Sequence, residues 1–213
     1  MRKIVLFSGL LLATGVALAQ QPGFYMGASL GQAKVDLDVN SLVSDLKALG
    51  ITNISSSKNE TDTAWKIYGG YQFNPYLGVE GGYADFGKYT ARFRGTYFGN
   101  GITASGDVKA YALFADVVGH LPLIDNTLSI FGKAGLAYAH TKLDASARMG
   151  ANSASDHTSN NDYVAKLGAG LRYSFTKQFA VRAEYERYFN VGKSSTTGES
   201  DVDVWSIGAT LHF

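Results

Sequence analysis

The sequence predicts an all-β chain: an eight-stranded antiparallel transmembrane β-barrel with short periplasmic turns and long extracellular loops. Three observations predict it. The chain opens on an export leader. Eight later segments alternate with a period of two residues. The connections between those segments alternate between short and long, the asymmetry expected of a barrel inserted from one side of a membrane.

The leader comes first. Arg2 and Lys3 form a positive start, Ile4–Val16 is apolar, and Ala17-Leu18-Ala19 is a small-x-small cleavage site before Gln20. The apolar stretch falls short of the ~20 residues a spanning helix needs. Residues 1–19 are therefore read as a signal peptide and 20–213 as one barrel domain. Removing the leader takes Lys plus Arg from 19 to 17 against 18 Asp plus Glu, a formal charge of −1. That balance excludes the basic footprint of a nucleic-acid binder. The lack of cysteine removes disulfide frameworks and thiolate metal sites. The 25 glycines and the 25 Tyr plus Phe residues favour many short strands over helices.

The alternating runs follow in order. Phe24, Met26, Ala28 and Leu30 oppose Tyr25, Gly27, Ser29 and Gly31. Trp65, Ile67, Gly69, Tyr71 and Phe73 lead into an Asn74-Pro75 turn, and Leu77, Val79, Gly81 and Tyr83 lead out of it. Tyr111, Leu113, Ala115 and Val117 form the fourth run, ending in a turn read at Pro122–Thr127. Ile130–Tyr138 and Ala165–Tyr173 form the fifth and sixth, and a turn at Thr176–Gln178 leads to Val181, Ala183 and Tyr185. Trp205, Ile207, Ala209, Leu211 and Phe213 close the chain. Each run covers about 9–13 residues, enough for a tilted strand to cross a bilayer. Four long polar loops are expected at Val35–Thr63, Gly87–Ser105, Thr141–Asn161 and Val191–Asp201. In the first, Leu42, Val43, Leu46 and Leu49 recur at helical spacing between Asn40 or Ser41 and Gly50, which predicts a short amphipathic helix.

Alternation does not say which face meets lipid, since a soluble barrel alternates too. The polar set decides it. It is rich in Gly, Ser, Ala and Tyr and poor in Lys and Glu, as suits a narrow interior rather than a water-facing surface. The apolar set ends in aromatics such as Phe24, Phe73, Tyr83, Tyr138, Tyr173, Phe179, Tyr185 and Phe213, which suit interfacial girdles. With lipid outside, Lys66, Glu80, Asp116, Lys133, Lys166, Arg172, Arg182, Glu184 and Glu186 become interior, five positive against four negative. Confined charges must pair, so an interior charge network is expected.

Three segments carry a family resemblance: GGYQFNPYLGVE at Gly69–Glu80, GLRYSFTKQFAVRAEYE at Gly170–Glu186, and WSIGATLHF at Trp205–Phe213. They resemble the transmembrane domain of the outer membrane protein A family, over essentially the whole mature chain. The resemblance implies location in the outer membrane of a Gram-negative bacterium. It also implies a C-terminal assembly signal at Trp205, Ile207, Ala209, Leu211 and Phe213, read by the barrel-insertion machinery. Glu80, Arg182 and Glu184 match members of an interior cluster implicated in gating. Arg172 stands where the family typically has an acid, and Asp116 lies near a family lysine, so a pair of reversed polarity is expected. The family's periplasmic peptidoglycan-binding domain is expected to be absent.

For function, the expectation is a structural or surface-interaction role (adhesion or host contact) carried by the extracellular loops. The expected partners are outer-membrane lipid and lipopolysaccharide, the insertion machinery, a cell-surface ligand, and no nucleic acid. The alternative is a narrow gated pore for ions or small solutes. An enzyme is not expected. His157-Thr158-Ser159 beside Asp156 and Asp162 sits in a polar loop with nothing to hold a base against a hydroxyl. Glu184 and Glu186, two apart on one strand face, read as a salt-bridge ladder rather than a catalytic pair. No cofactor or metal is expected, for no phosphate loop or metal-ligand spacing occurs.

Overall fold

The computed structural model describes residues 22–35, 52–59, 61–97, 100–124, 127–149, 152–193 and 198–213. The leader and the amphipathic segment at Leu42–Leu49 lie outside the described residues.

Nine strands follow one another: β1 (Gly23–Val35), β2 (Thr52–Asn59), β3 (Thr61–Asn74), β4 (Leu77–Tyr97), β5 (Asn100–Ile124), β6 (Leu128–Met149), β7 (Asn152–Ser174), β8 (Phe179–Lys193) and β9 (Gly198–His212). Eight of them form a closed antiparallel ring. β1 pairs with both β3 and β9, and β4 pairs with β5, so the ladder returns on itself. Closure satisfies the backbone donors and acceptors that lipid cannot. β2 lies outside the ring, paired with the far end of β4 from Asn59↔Thr90 to Thr52↔Thr96.

The period of two sets the faces. Phe24, Leu30, Ile67, Leu113, Val117, Leu136, Leu167, Leu171, Trp205 and Ile207 are exposed, while Tyr25, Tyr68, Phe114, Phe131 and the charged set are buried. Lipid therefore meets the apolar residues. The outward set is bounded by aromatic rows at both ends. One row holds the touching rings of Phe24, Tyr71 and Phe73 and of Tyr173, Phe175 and Phe179. The other holds Trp65, Tyr83 and Tyr111, then Tyr138 with Tyr163 and Tyr185 with Trp205. On β7 the two rows lie at Tyr173 and Tyr163, eleven residues inclusive, the span of one tilted crossing.

The short turns lie where the alternation stops. Asn74 Oδ1 accepts hydrogen bonds from the Tyr76 and Leu77 amides at 2.8 and 2.9 Å, an Asx turn that Pro75 can enter because it has no amide to place. Thr176 Oγ1 does the same for the Gln178 and Phe179 amides. Pro122 is not in a turn: β5 runs through it to Ile124, with Pro122 opposite Ser129 beside the register break at the ladder's end. A proline costs least there, where few ladder bonds remain.

The other end departs from the loops expected of it. The ladders of β4, β5, β6 and β7 continue far past the upper aromatic row, to Tyr97↔Asn100 between β4 and β5 and to Met149↔Asn152 between β6 and β7. Most of Gly87–Ser105 and Thr141–Asn161, expected as polar loops, is therefore strand. The strands reach 21–25 residues, about twice what a bilayer needs. Thr52–Asn59, within the first expected loop, is the added strand β2.

A bulge marks the transition on β4. The register moves from Asp85↔Tyr111 to Lys88↔Lys109, three residues against two. Gly87 there has a φ of 81°, a left-handed backbone that glycine adopts without a Cβ penalty. The Gly87 amide donates to Asp85 Oδ1 at 2.9 Å and the Lys88 amide to Asp62 Oδ2 at 2.7 Å, so carboxylates take up the amides at the bulge.

Candidate functional site

Two regions of the molecule carry unusual chemistry: the ring's interior and the sheet above it.

Inside, β3, β4, β5, β6, β7 and β8 each turn charged side chains toward one another. Arg182 grips Glu80 with two nitrogens, Nη1 at 2.6 Å from Oε2 and Nη2 at 3.0 Å from Oε1. Lys133 Nζ reaches Glu80 at 3.1 Å and Glu184 at 2.7 Å. Lys66 binds Glu184 at 2.6 Å and Glu186 at 2.7 Å. Lys166 binds Glu186 at 2.7 Å and Asp116 at 2.8 Å. These are four cations and four carboxylates, each touching at least one opposite charge. Their side chains are at most 5% exposed. Dispersing eight charges in this way is what permits their burial. Each carboxylate gains charge-assisted hydrogen bonds that offset part of its desolvation.

Aromatics frame the cluster. The Arg182 guanidinium lies 3.6 Å from the Tyr68 ring centroid and the Lys166 ammonium 3.9 Å from that of Phe114. Tyr25 donates to Glu80 at 3.3 Å and Ser206 to Glu184 at 3.3 Å. Gly135 makes room beside Asp116. A Cβ there would lie 2.1 Å from the Ala115 carbonyl oxygen and 2.3 Å from Asp116 Oδ1.

Arg172 stands apart from this cluster. It lies on β7 opposite Arg182 and Ser129, six residues from Lys166, and its Nη2 is 2.6 Å from His212 Nε2. Asp116 instead faces Lys166 across Gly135 of β6. The two departures from the family pattern thus sit at different heights, and the reversed pair expected between them does not form.

Above the charges lies an apolar layer that sequence reasoning missed. Phe86, Tyr89 and Tyr188 are each at most 1% exposed and pack with Ala33, Val202 and Val204. Phe86 and Tyr188 meet edge to face at 4.8 Å. The signal was present in the sequence, but Phe86 and Tyr89 flank the bulge, where the alternation breaks.

On the sheet above the ring, the outward face is polar and cationic. Lys88, Lys109 and Lys142 stand in one cross-strand row on β4, β5 and β6. His157, read as a loop residue, is on β7, with Nδ1 at 2.6 Å from Asp144. His140 bonds Asn161. Both histidines are held by neighbours on the sheet, and among the described residues no serine hydroxyl is paired with either ring.

The last strand and the residue after it present Trp205, Ile207, Leu211 and Phe213 outward, from 47% to 75% exposed, with Ala209 between them.

A closed eight-stranded ring, apolar outside, belted by aromatics and filled with paired charges, defines a transmembrane β-barrel of the Gram-negative outer membrane. The chain belongs to the OmpA-like transmembrane domain family, whose model matches residues 19–213. Among relatives, it is 29% identical to outer membrane protein P5 of Haemophilus influenzae, over 86% of this chain and 50% of that protein. It is 26% identical to an uncharacterized protein of Coxiella burnetii, over 90% and 85% of the respective lengths. The chain thus spans about half the length of the P5 relative. Among solved structures, the outer membrane protein OprG of Pseudomonas aeruginosa matches with a TM-score of 0.56 at 14% identity, over 92% of this chain and 98% of that one.

Proposed function

We propose that this protein is a structural outer-membrane barrel with a sealed interior, whose dealings with the cell's surroundings are carried by the sheet above the bilayer. The observation that carries the reading is the continuation of the β4–β7 ladders well past the upper aromatic row. A barrel needing only to span would end its strands near that row. Strands that continue hold their tips rigidly away from the membrane, and binding concentrates on segments a scaffold positions. The paired charges and the apolar layer above them support a lumen closed to solutes.

The test replaces residues 146–155 and, separately, 92–105 with an Asn-Gly turn, which rejoins cross-strand neighbours by a two-residue hairpin. Cells bearing each variant are scored for attachment to host-cell layers and to one another. Attachment should fall while the barrel still shows its closed-form migration on unboiled gels. Unchanged attachment in both variants would sink the reading, as would reproducible unitary current from the intact barrel in a planar bilayer.

Export by the leader at residues 1–19 and insertion through the outward residues of the last strand belong to the same proposal. Protein extracted from the outer membrane should begin at Gln20, and Phe213→Ala should slow insertion.

A further inference from the structure

We propose that the row Lys88–Lys109–Lys142 on the outward face is a binding site for the phosphorylated headgroup of an outer-leaflet glycolipid, of the lipopolysaccharide kind.

The row's position comes from the register. Lys88 is the partner of Lys109, and Lys109 the partner of Lys142, so three ammonium-bearing side chains emerge from adjacent strands on one face. Directly opposed residues lie roughly 5 Å apart at Cβ, and like charges so placed repel. Only Lys88 has an acidic partner, Asp107 at 2.9 Å. Among the described residues, Lys109 and Lys142 form no ion pair. A row of this kind costs stability unless an anion is shared across it.

The face identifies the anion's source. Lys142 follows Leu136, Tyr138 and His140 on the side of β6 that meets lipid, and Lys109 follows Leu113 and Tyr111 on that side of β5. Tyr138 and Tyr163 mark the membrane boundary here. Lys142 stands four residues further on, which on a tilted strand is roughly 10 Å higher. The lysines therefore project sideways into the headgroup layer rather than up into the medium. Long lysine stems can lie along the aromatic row and place their charges at the interface.

The charge excess continues upward on the same face. Arg92, Arg94 and Arg148 are exposed there. The acids facing the same way are Asp85, Asp107 and Asp144. Asp85 bonds the Gly87 amide, Asp107 bonds Lys88 and Thr90, and Asp144 bonds His157. Among the described residues, six cations thus face three acids, each of which already has a partner. A headgroup with phosphates on adjoining sugars matches this spread of positive charge. A soluble sulfated polysaccharide matches the charge too, but it has no reason to prefer a face continuous with the lipid-contacting surface.

The inference rests on the barrel's outer-membrane setting and not on what the hairpin tips contact. The experiment uses mature protein in detergent micelles, titrated with purified lipopolysaccharide and with the same glycolipid after enzymatic dephosphorylation. The double variant K109Q/K142Q serves as the probe, with closed-form migration on unboiled gels as the control for folding. At about 1 kcal/mol per basic residue near an anionic surface, losing both lysines should weaken binding about thirtyfold. Dephosphorylation should weaken binding to the native protein and leave little further loss in the variant. The variant with 146–155 replaced by Asn-Gly should keep the row and hence bind, which separates this site from the tips. Equal binding by native protein and K109Q/K142Q, or indifference to dephosphorylation, would overturn the proposal. So would heparin displacing the glycolipid from the native protein while binding more tightly than it does. If Lys109 and Lys142 resist folding controls as glutamines, K109R/K142R should restore affinity.

Discussion

The ring within the membrane and the sheet above it share four strands, β4 to β7, yet their sidedness is opposite. On β6, Lys133 points inward and Leu136 outward within the bilayer, whereas above it Leu143 points inward and Lys142 outward. On β5 the outward set changes from Val117, Ala115 and Leu113 to Lys109 and Asp107. What changes is the medium outside. Against hydrocarbon, the outward face must be apolar and charges can survive only inside, paired. Against water, the ordinary arrangement returns and apolar residues take the inner face. The membrane boundary is thus written into the strands as an inversion of pattern, located between Tyr138 and Lys142.

If that contrast is sound, the energetics of the two regions should separate widely. The largest effect should come from Glu184→Ala, which leaves Lys66 and Lys133 short of a buried counter-ion. A loss of about 3–5 kcal/mol is expected in urea unfolding of the lipid-reconstituted barrel. A loss under 1 kcal/mol would mean that water reaches the cluster. Next, Leu167→Arg, outward near the middle of the bilayer span, should cost about 2–4 kcal/mol. Ser155→Arg, outward on the same strand above the boundary, should stay within about 0.5 kcal/mol. Similar costs at both positions would erase the boundary proposed here. Asp107→Ala, which breaks the exposed Lys88 pair, should also cost little. At most about 1 kcal/mol is expected, fading as salt is raised.

The ring was legible because hydrocarbon enforces a strict period of two. Each run, each outward residue and the turns at Asn74 and Thr176 could be placed from the sequence. The charges could be assigned to the interior by the same parity. Their partners could not, because partners depend on which strands lie across the lumen and at what height. Nothing in spacing says that Lys166 meets Asp116 while Arg172 lies six residues away beside His212. The sheet above the membrane reads as loops in the sequence for a related reason. Ser, Thr, Asn and Asp dominate there, and strands in water need not carry an apolar face as regular as the one lipid demands. In β2, Ser55, Ser56 and Ser57 present no alternation at all, and only pairing with Arg94, Phe93 and Arg92 makes them a strand.

The bulge at Gly87 has a consequence for how this surface can change. Below it, odd-numbered residues of β4 face out; above it, even-numbered ones do. That single extra residue works as a phase switch. Deleting one codon at this point would turn Tyr89, Ala91 and Phe93 toward the exterior and Lys88, Arg92 and Arg94 toward the interior, with no side chain altered. The sidedness of the upper half of β4 thus hangs on a count rather than on any particular residue. Point substitution explores such a surface slowly, whereas a one-residue insertion or deletion can invert it in a single event.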